Sequence, residues 1–125
     1  MNASNTLAAH PDSSLESFAA ELTEAVFPVA LRYGVGNRWL DLKLDLWRVL
    51  SETVAKCARA WRGADSRDEF AGCRQGLVAG LARTAYHTTL RHSAREPILD
   101  ERVGLYRAFR GAIREKVRGC ERARA

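Results

Sequence analysis

Residues 39–47, Trp-Leu-Asp-Leu-Lys-Leu-Asp-Leu-Trp, decide the fold class of this chain. Apolar and charged side chains alternate through residues 40–46, which is typical of a β-strand with one buried face. The alternation fails after Trp47, whereas apolar residues at helical spacing continue without a break to Trp61. This stripe consists of Trp39, Leu42, Leu46, Val49, Leu50, Val54, Cys57 and Trp61. The stretch is therefore predicted to begin a long helix over residues 37–61.

Three apolar residues of the same stretch lie outside that stripe. Leu40, Leu44 and Trp47 form a second, shorter stripe beside the first. A helix face this wide is usually covered by more than one neighbour. The second stripe has two explanations, namely contact with another helix of the same chain or contact with a neighbouring subunit. If the chain is an oligomer, Leu40, Leu44 and Trp47 are its predicted interface.

The segment before this helix predicts another one. It follows Pro11-Asp12-Ser13-Ser14, which offers residues that cap helix N-termini. Its apolar residues recur at steps of three and four: Leu15, Phe18, Ala19, Leu22, Val26 and Val29. Pro28 should kink this helix or end it near Phe27, because proline cannot donate the backbone hydrogen bond. Gly34, Gly36 and Asn37 then indicate a turn.

The third helix is predicted to open with a capping box at residues 66–69 and to continue to about Ser93. Its core stripe is Phe70, Cys73, Leu77, Leu81, Ala85 and Thr88. Gly72, Gly76 and Gly80 recur every four residues. Each glycine weakens a helix interior by up to about 1 kcal/mol relative to alanine. The three together predict a groove where another backbone approaches closely.

The fourth helix follows Pro97 and is predicted to run to about Arg118, with Val103, Tyr106, Ile113 and Val117 facing the core and Leu105 and Phe109 beside them. Four helices joined by short loops favour an all-α fold, an antiparallel up-down four-helix bundle that is oligomeric. The bundle is expected over residues 14–118. Residues 1–13 are expected to be a flexible N-terminal tail, and residues 119–125 a frayed basic C-terminus.

Length and composition indicate a single compact domain. The chain has 125 residues, of which 46% are hydrophobic and 28% charged, as in ordinary globular proteins. No apolar run approaches the roughly 20 residues of a membrane span, and the N-terminus lacks the pattern of a signal peptide. The expected location is cytoplasmic. Cys57, Cys73 and Cys120 are scattered, which argues against a disulfide framework or a zinc site.

Motifs that carry chemistry are missing from the sequence. It has no Gly-rich phosphate loop, no nucleophile elbow and no Glu-x-x-His pair. His87 and His92 are five residues apart, on different faces of a helix. Asp41 and Asp45 are one turn apart, where pairing with neighbouring bases is expected rather than metal binding. A non-enzymatic protein without a metal or another cofactor is therefore predicted.

Basic charge is concentrated in the second half of the chain. Residues 1–70 contain 8 Lys/Arg and 10 Asp/Glu, a net charge of −2, whereas residues 71–125 contain 12 Lys/Arg and 5 Asp/Glu, a net charge of +7. Two series of basic residues recur at helical spacing: Arg83, His87, Arg91 and Arg95, and then Arg107, Arg110, Arg114 and Arg118. Arginines on a rigid face suit contact with phosphates, so the arginines of both series are the predicted nucleic-acid-binding residues.

The order of these features resembles a known family. The resemblance rests on an aromatic-Pro pair ending the first helix, a Gly-containing turn, an acidic cap before the third helix, a Leu-Arg pair at its end and a Pro-containing loop: Phe27-Pro28, Gly34, Gly36, residues 66–69, Leu90-Arg91 and Pro97. Over residues 15–118 the chain resembles the accessory variability determinant proteins of diversity-generating retroelements, within a wider group of small four-helix bundle proteins linked to ribosomal-RNA intervening sequences.

The resemblance implies a basic, barrel-like homopentamer that binds a reverse transcriptase and its template RNA. Such a protein supports mutagenic cDNA synthesis without catalysing it. Two other hypotheses stay open on the sequence. One is a helical interaction or structural subunit of a larger assembly, with the arginines on acidic protein surfaces. The other is a bundle that binds a small ligand in the glycine groove.

Overall fold

The computed structural model describes most of the chain as helix. It describes residues 11–33, 38–62, 67–93 and 95–124, and the side chains of residues 15–32, 38–59, 74–93 and 95–119. The helices are α1 (Pro11–Ala30), α2 (Trp39–Arg62), α3 (Arg67–His92) and α4 (Leu99–Arg124), with a short 3-10 helix at Leu31–Tyr33 after α1. No strand occurs within the described ranges, so the prediction of an all-α fold is confirmed.

The alternating stretch is the first part of α2, and the strand interpretation is wrong. Leu42, Leu46 and Leu50 of the predicted core stripe are fully buried. Trp39 differs from the prediction, because 48% of it remains exposed. Trp39 is the first residue of α2, so no earlier turn of the same helix covers the indole. One side of the ring packs near Phe27, with the two ring centroids 6.4 Å apart.

Two helices are longer than predicted. Of the two predicted effects of Pro28, a kink or an end near Phe27, the end is wrong, since the helix continues through Pro28 to Ala30. Proline in a helix interior costs about 3 kcal/mol, but Pro28 is exposed while Ala30 after it is fully buried, so continuing the helix adds to the core. At the other end of the chain, α4 continues from the predicted end at Arg118 to Arg124.

The helices surround one continuous core. Helix α2 packs against α1 and α3, and α4 packs against α3 and α1, so each helix lies between two others. The largest fully buried apolar side chains are Leu22, Val26, Leu42, Leu46, Leu50, Leu81, Leu105, Phe109 and Ile113. Each contributes about 1.5–3 kcal/mol by leaving water. Cys57 is half-buried against this core.

Helix α4 buries a stripe in steps of four residues, and this stripe corrects the prediction for Val103. Leu105, Phe109, Ile113 and Val117 are buried, whereas Val103 is 42% exposed. Val103 lies two residues before the stripe, which is about 200° round the helix and therefore on the outer side. The prediction for Val103 followed its spacing to Tyr106, whereas the buried stripe follows the phase of Leu105 and Phe109.

Gly76 and Gly80 of α3 do not form the predicted groove. A Cβ at Gly76 would meet no atom within 4 Å, and one at Gly80 would meet only Cγ2 of Thr53, at 3.8 Å. These distances leave room for a side chain, so close approach of another backbone is wrong at both positions. Gly72, the capping box at 66–69 and residues 1–10 lie outside the residues whose side-chain surroundings are described.

Candidate nucleic-acid interface

The outer face of α4 carries the second arginine series. Because the core stripe occupies one side of this helix, the arginines are placed on the other, and Arg107, Arg110, Arg114 and Arg118 are all exposed. Arg107, Arg114 and Arg118 fall within about 40° of one another round the helix, and the residues from Arg107 to Arg118 extend about 16 Å along its axis. These four residues are called the α4 arginine face below.

Two of these four arginines contact a neighbouring side chain, and the other two form no ion pair with a described residue. Nη1 of Arg118 lies 3.4 Å from Oε1 of Glu115 one turn earlier. The guanidinium of Arg110 lies 5.9 Å from the centroid of the Tyr106 ring. Arg107 and Arg114 form no ion pair with any described side chain. Their charge is therefore available to an external anion.

The first series differs from the second in that its last two arginines pair with carboxylates. Arg83 is exposed, but Nη2 of Arg91 lies 3.6 Å from Oδ2 of Asp45 on α2 and donates to Oγ1 of Thr88 at 3.2 Å. Arg95 donates twice to the carboxylate of Glu101, at 2.9 and 2.6 Å. Carboxylates thus compensate the charge of this series towards its C-terminal end.

The ion pair of Arg95 and Glu101 is one of several polar contacts in the segment before α4. The Arg95 guanidinium, with the backbone N–H of Ile98 at 3.1 Å, lowers the pKa of Glu101 to about 2. Arg102 donates to the carbonyl of Pro97 at 3.1 Å and to Glu96 at 2.8 Å. These hydrogen bonds hold the backbone at the start of α4 in place. They thereby fix the direction in which the outer face of the helix points.

Asp45 is the centre of a charged cluster that sequence reasoning only partly anticipated. Pairing of Asp41 and Asp45 with bases is confirmed: Asp41 lies 3.9 Å from Arg38, and Asp45 pairs with Arg48 one turn later. The contact of Asp45 with His92, at 3.0 Å, was missed. Only the fold brings these two residues together, since 47 positions separate them in sequence.

The second apolar stripe of α2 is uncovered. Leu40, Leu44 and Trp47 are 49%, 56% and 46% exposed. No helix in the described part of the chain covers them, so the explanation by contact with another of these helices is wrong. Contact with a neighbouring subunit stays a prediction.

A further apolar group was missed at the start of α4. Ile98, Leu99 and Val103 are 66%, 74% and 42% exposed. A signal for it was present in the sequence, because Leu99 and Val103 are one turn apart and out of phase with the stripe that begins at Leu105. Leu31, after α1, is also exposed.

The described residues contain no group of three or more His, Cys, Asp and Glu side chains that could hold a metal ion. None of the described helices combines the length and apolarity needed to cross a membrane. Compared with protein-family models, with curated proteins and with solved structures, the chain shows no match.

Proposed function

We propose that this chain is a non-enzymatic RNA-binding accessory protein that assembles with a reverse transcriptase in a diversity-generating retroelement. The α4 arginine face is the observation that carries the RNA-binding part. A helix holds guanidinium groups at fixed spacing, and guanidinium binds phosphate with two parallel hydrogen bonds. Arg107 and Arg114, which have no ion pair with a described side chain, are the central contacts.

The composition of the face favours contact with the RNA backbone. Helix α4 contains eight Lys/Arg and four Asp/Glu. Its two aromatic residues, Tyr106 and Phe109, are half-buried and buried, so neither is offered for base stacking. Binding through phosphates depends steeply on salt and weakly on sequence. The proposed interface therefore holds a structured RNA by its phosphates, and the RNA sequence is recognised elsewhere.

The family resemblance supports the retroelement setting, and two features of the fold support the proposed assembly. Contacts between Lys43 and Glu24, Asp45 and His92, Thr53 and Thr84, and Tyr86 and Tyr106 each join a later position in one helix to an earlier one in its neighbour. This order supports an antiparallel up-down bundle. The exposed stripe of Leu40, Leu44 and Trp47 supports a homo-oligomer, which the resemblance implies to be a pentamer.

A salt titration of RNA binding tests the interface. A fluorescently labelled structured RNA is titrated with wild type, with Arg107→Gln/Arg114→Gln, and with the control Lys56→Gln/Arg59→Gln. The control removes the same charge from exposed positions on α2. The α4 variant should bind more weakly and reduce the slope of log K against log salt by about 2, whereas the control should change the slope little.

Two results would contradict the RNA-binding proposal. Equal losses of RNA affinity in both variants would mean that net charge alone attracts RNA. Unchanged affinity in the α4 variant would mean that this face does not bind RNA. The retroelement setting has its own test. A reverse transcriptase gene beside this one, and capture of its product by the purified protein, are expected; the absence of both removes the setting but leaves RNA binding standing.

An alternative is a helical interaction or structural subunit that binds no nucleic acid. The uncovered α2 stripe favours it, since exposed apolar groups often mark protein interfaces. Under this alternative, Leu44→Glu abolishes partner capture while Arg107→Gln/Arg114→Gln leaves every interaction intact.

A further inference from the structure

The exposed apolar side chains at the start of α4 are continuous with the α4 arginine face. Ile98, Leu99 and Val103 are all exposed, and they are called the α4 apolar patch below. Val103 lies within about 40° of Arg107 and Arg114 round the helix, and Leu99 lies one turn before Val103. The patch and the arginines therefore share the outer face of α4, and a ligand that lies along this face contacts both.

The shared face has the length of a short stretch of nucleic acid. The helix rises about 29 Å from Leu99 to Arg118, of which the arginines occupy about 16 Å and the patch about 6 Å. Stacked nucleotides rise roughly 3 Å each along a strand. The arginines therefore extend along about five nucleotides, whereas the patch has room for about one or two.

The net charge changes sign between the two parts of this face. Residues 95–103 contain two Arg and three Asp/Glu, a net charge of −1, whereas residues 104–118 contain five Lys/Arg and one Glu, a net charge of +4. Both arginines of the first part are paired with glutamates, at 2.6 and 2.8 Å. Phosphates are therefore attracted to the second part only. The patch suits a part of the ligand that is apolar and uncharged.

An unpaired nucleotide beside a duplex combines these two properties. In a duplex the bases are stacked on one another, and the phosphates line the outside. An unstacked base at a loop or an end exposes its broad face, which proteins cover with side chains. Leucine and isoleucine are among the apolar residues that contact base faces in nucleic-acid complexes. Such contact makes no hydrogen bond to a base edge, so it does not depend on which base is present.

The charges round the patch argue against an anionic membrane as its partner. Apolar residues that enter the surface of a membrane are usually accompanied by unpaired Lys and Arg, which bind anionic lipids. Here the arginines nearest the patch are paired, and the exposed carboxylate of Asp100 follows Leu99 directly. A neutral base is compatible with these surroundings, whereas a layer of phosphate head groups is repelled by them.

We propose that the α4 apolar patch holds an unpaired nucleotide next to a duplex whose phosphates lie on the α4 arginine face. The RNA that this site prefers is therefore a duplex with a single-stranded extension, and a blunt duplex is a weaker ligand. This inference rests on the RNA binding proposed above and adds the class of RNA that the site selects.

Hairpin RNAs with a common stem test the proposal. One ends bluntly, one carries a short single-stranded extension, and one carries an extension of the same length made of abasic nucleotides, which has the same phosphates without the bases. The 3′ and 5′ extensions are made separately, because the direction of the strand along α4 decides which of them reaches the patch. With one of the two, wild type should bind the extension with bases about fivefold more tightly than the abasic one.

Variants of the patch should change this preference alone. Leu99→Ser/Val103→Ser should bind the extended and abasic RNAs equally, with the affinity of wild type for the blunt stem and the same dependence on salt. Leu99→Tyr adds a ring on which a base can stack, so it should increase the preference. Leu40→Ser/Leu44→Ser is the matched control: it removes similarly exposed apolar side chains from α2 and should keep the fivefold ratio of wild type. Ile98→Ser repeats the test if the double variant of the patch loses helicity.

Other outcomes would overturn the proposal. Equal binding of the extended and abasic RNAs by wild type would exclude a base contact and leave RNA binding by the arginines standing, whereas failure of every RNA to bind would remove both proposals. A preference that persists in Leu99→Ser/Val103→Ser would place the base contact elsewhere. A wild-type oligomer that dissociates in this variant would assign the patch to a second copy, and sedimentation with phosphatidylserine vesicles that the variant loses would assign it to a membrane.

Discussion

His92 Nε2 on α3 donates a hydrogen bond to Oδ2 of Asp45 on α2 across 3.0 Å, and this bond joins the first part of α2 to the end of α3. The side chains are only 14% and 20% exposed. The hydrogen bond from His92, more than the nearby guanidinium groups of Arg48 and Arg91, lowers the pKa of Asp45 below its ordinary value. The cluster therefore favours an ionised Asp45 in the folded protein.

Replacing Asp45 with Asn should lower the free energy of unfolding by about 1–2 kcal/mol at neutral pH, because a charged hydrogen bond between helices is lost. The folded pKa lies below the ordinary 3.8, so the stabilisation is present in full above about pH 4. It is lost as the pH falls through the folded pKa. Urea unfolding at pH 7, 5 and 3 should show the difference from wild type narrowing only at pH 3.

Asp41→Asn is the matched control for this variant. Asp41 pairs with Arg38 at 3.9 Å, and both side chains are about two-thirds exposed, so removal of its charge should change stability by less than about 0.5 kcal/mol. A difference from wild type that stays constant down to pH 3 would contradict the assigned role of Asp45.

Glu101 should titrate far below an ordinary glutamate. Its carboxylate receives two hydrogen bonds from Arg95 and one from the N–H of Ile98, which lower its pKa to about 2. Carboxyl carbon shifts followed by NMR should give that midpoint, and Arg95→Gln should raise it towards 4.5. An unchanged Glu101 midpoint in Arg95→Gln would exclude the pair as the cause.

The sequence was sufficient where periodicity acts over several turns. Leu42, Leu46 and Leu50 repeat at helical spacing, and the same pattern identified Ile113 and Val117 as core residues of α4. It failed for Trp39, the first residue of α2, and for Val103, which was assigned to the core in place of Leu105 and Phe109 because the phase of α4 was misjudged. It also carried no information on pairing between helices, so the bond of Asp45 to His92 and the pairing of Arg95 with Glu101 could be found only once the fold had placed them together.

The exposure of Val103 can be tested by comparing the stability cost of replacing it with the cost of replacing a buried residue of α4. Phe109→Ala removes a fully buried ring and should cost about 3–5 kcal/mol, whereas Val103→Ala at an exposed position should stay within about 0.5 kcal/mol of wild type. Both variants are compared by urea unfolding at one protomer concentration, since the chain is proposed to be an oligomer. A cost above about 2 kcal/mol for Val103→Ala in the background of Leu44→Glu, which is expected to break the proposed α2 interface and give a monomer, would place Val103 in the core.

Gly104 and Gly111 lie on the outer side of α4 beside the arginine face, and alanine there should stabilise the protein. A Cβ at either position would meet no atom within 4 Å, so the substitution introduces no clash. Alanine is favoured over glycine in a helix interior by up to about 1 kcal/mol, because it restricts the unfolded chain. Each single variant should therefore raise the free energy of unfolding by that amount. The two sites are about 10 Å apart along the helix, so their effects should add in the double variant.

Thermal and urea unfolding measure the gain. A loss of stability at either site would mean that something approaches this face in the folded protein, and a gain in the monomeric Leu44→Glu background alone would identify that neighbour as a second copy.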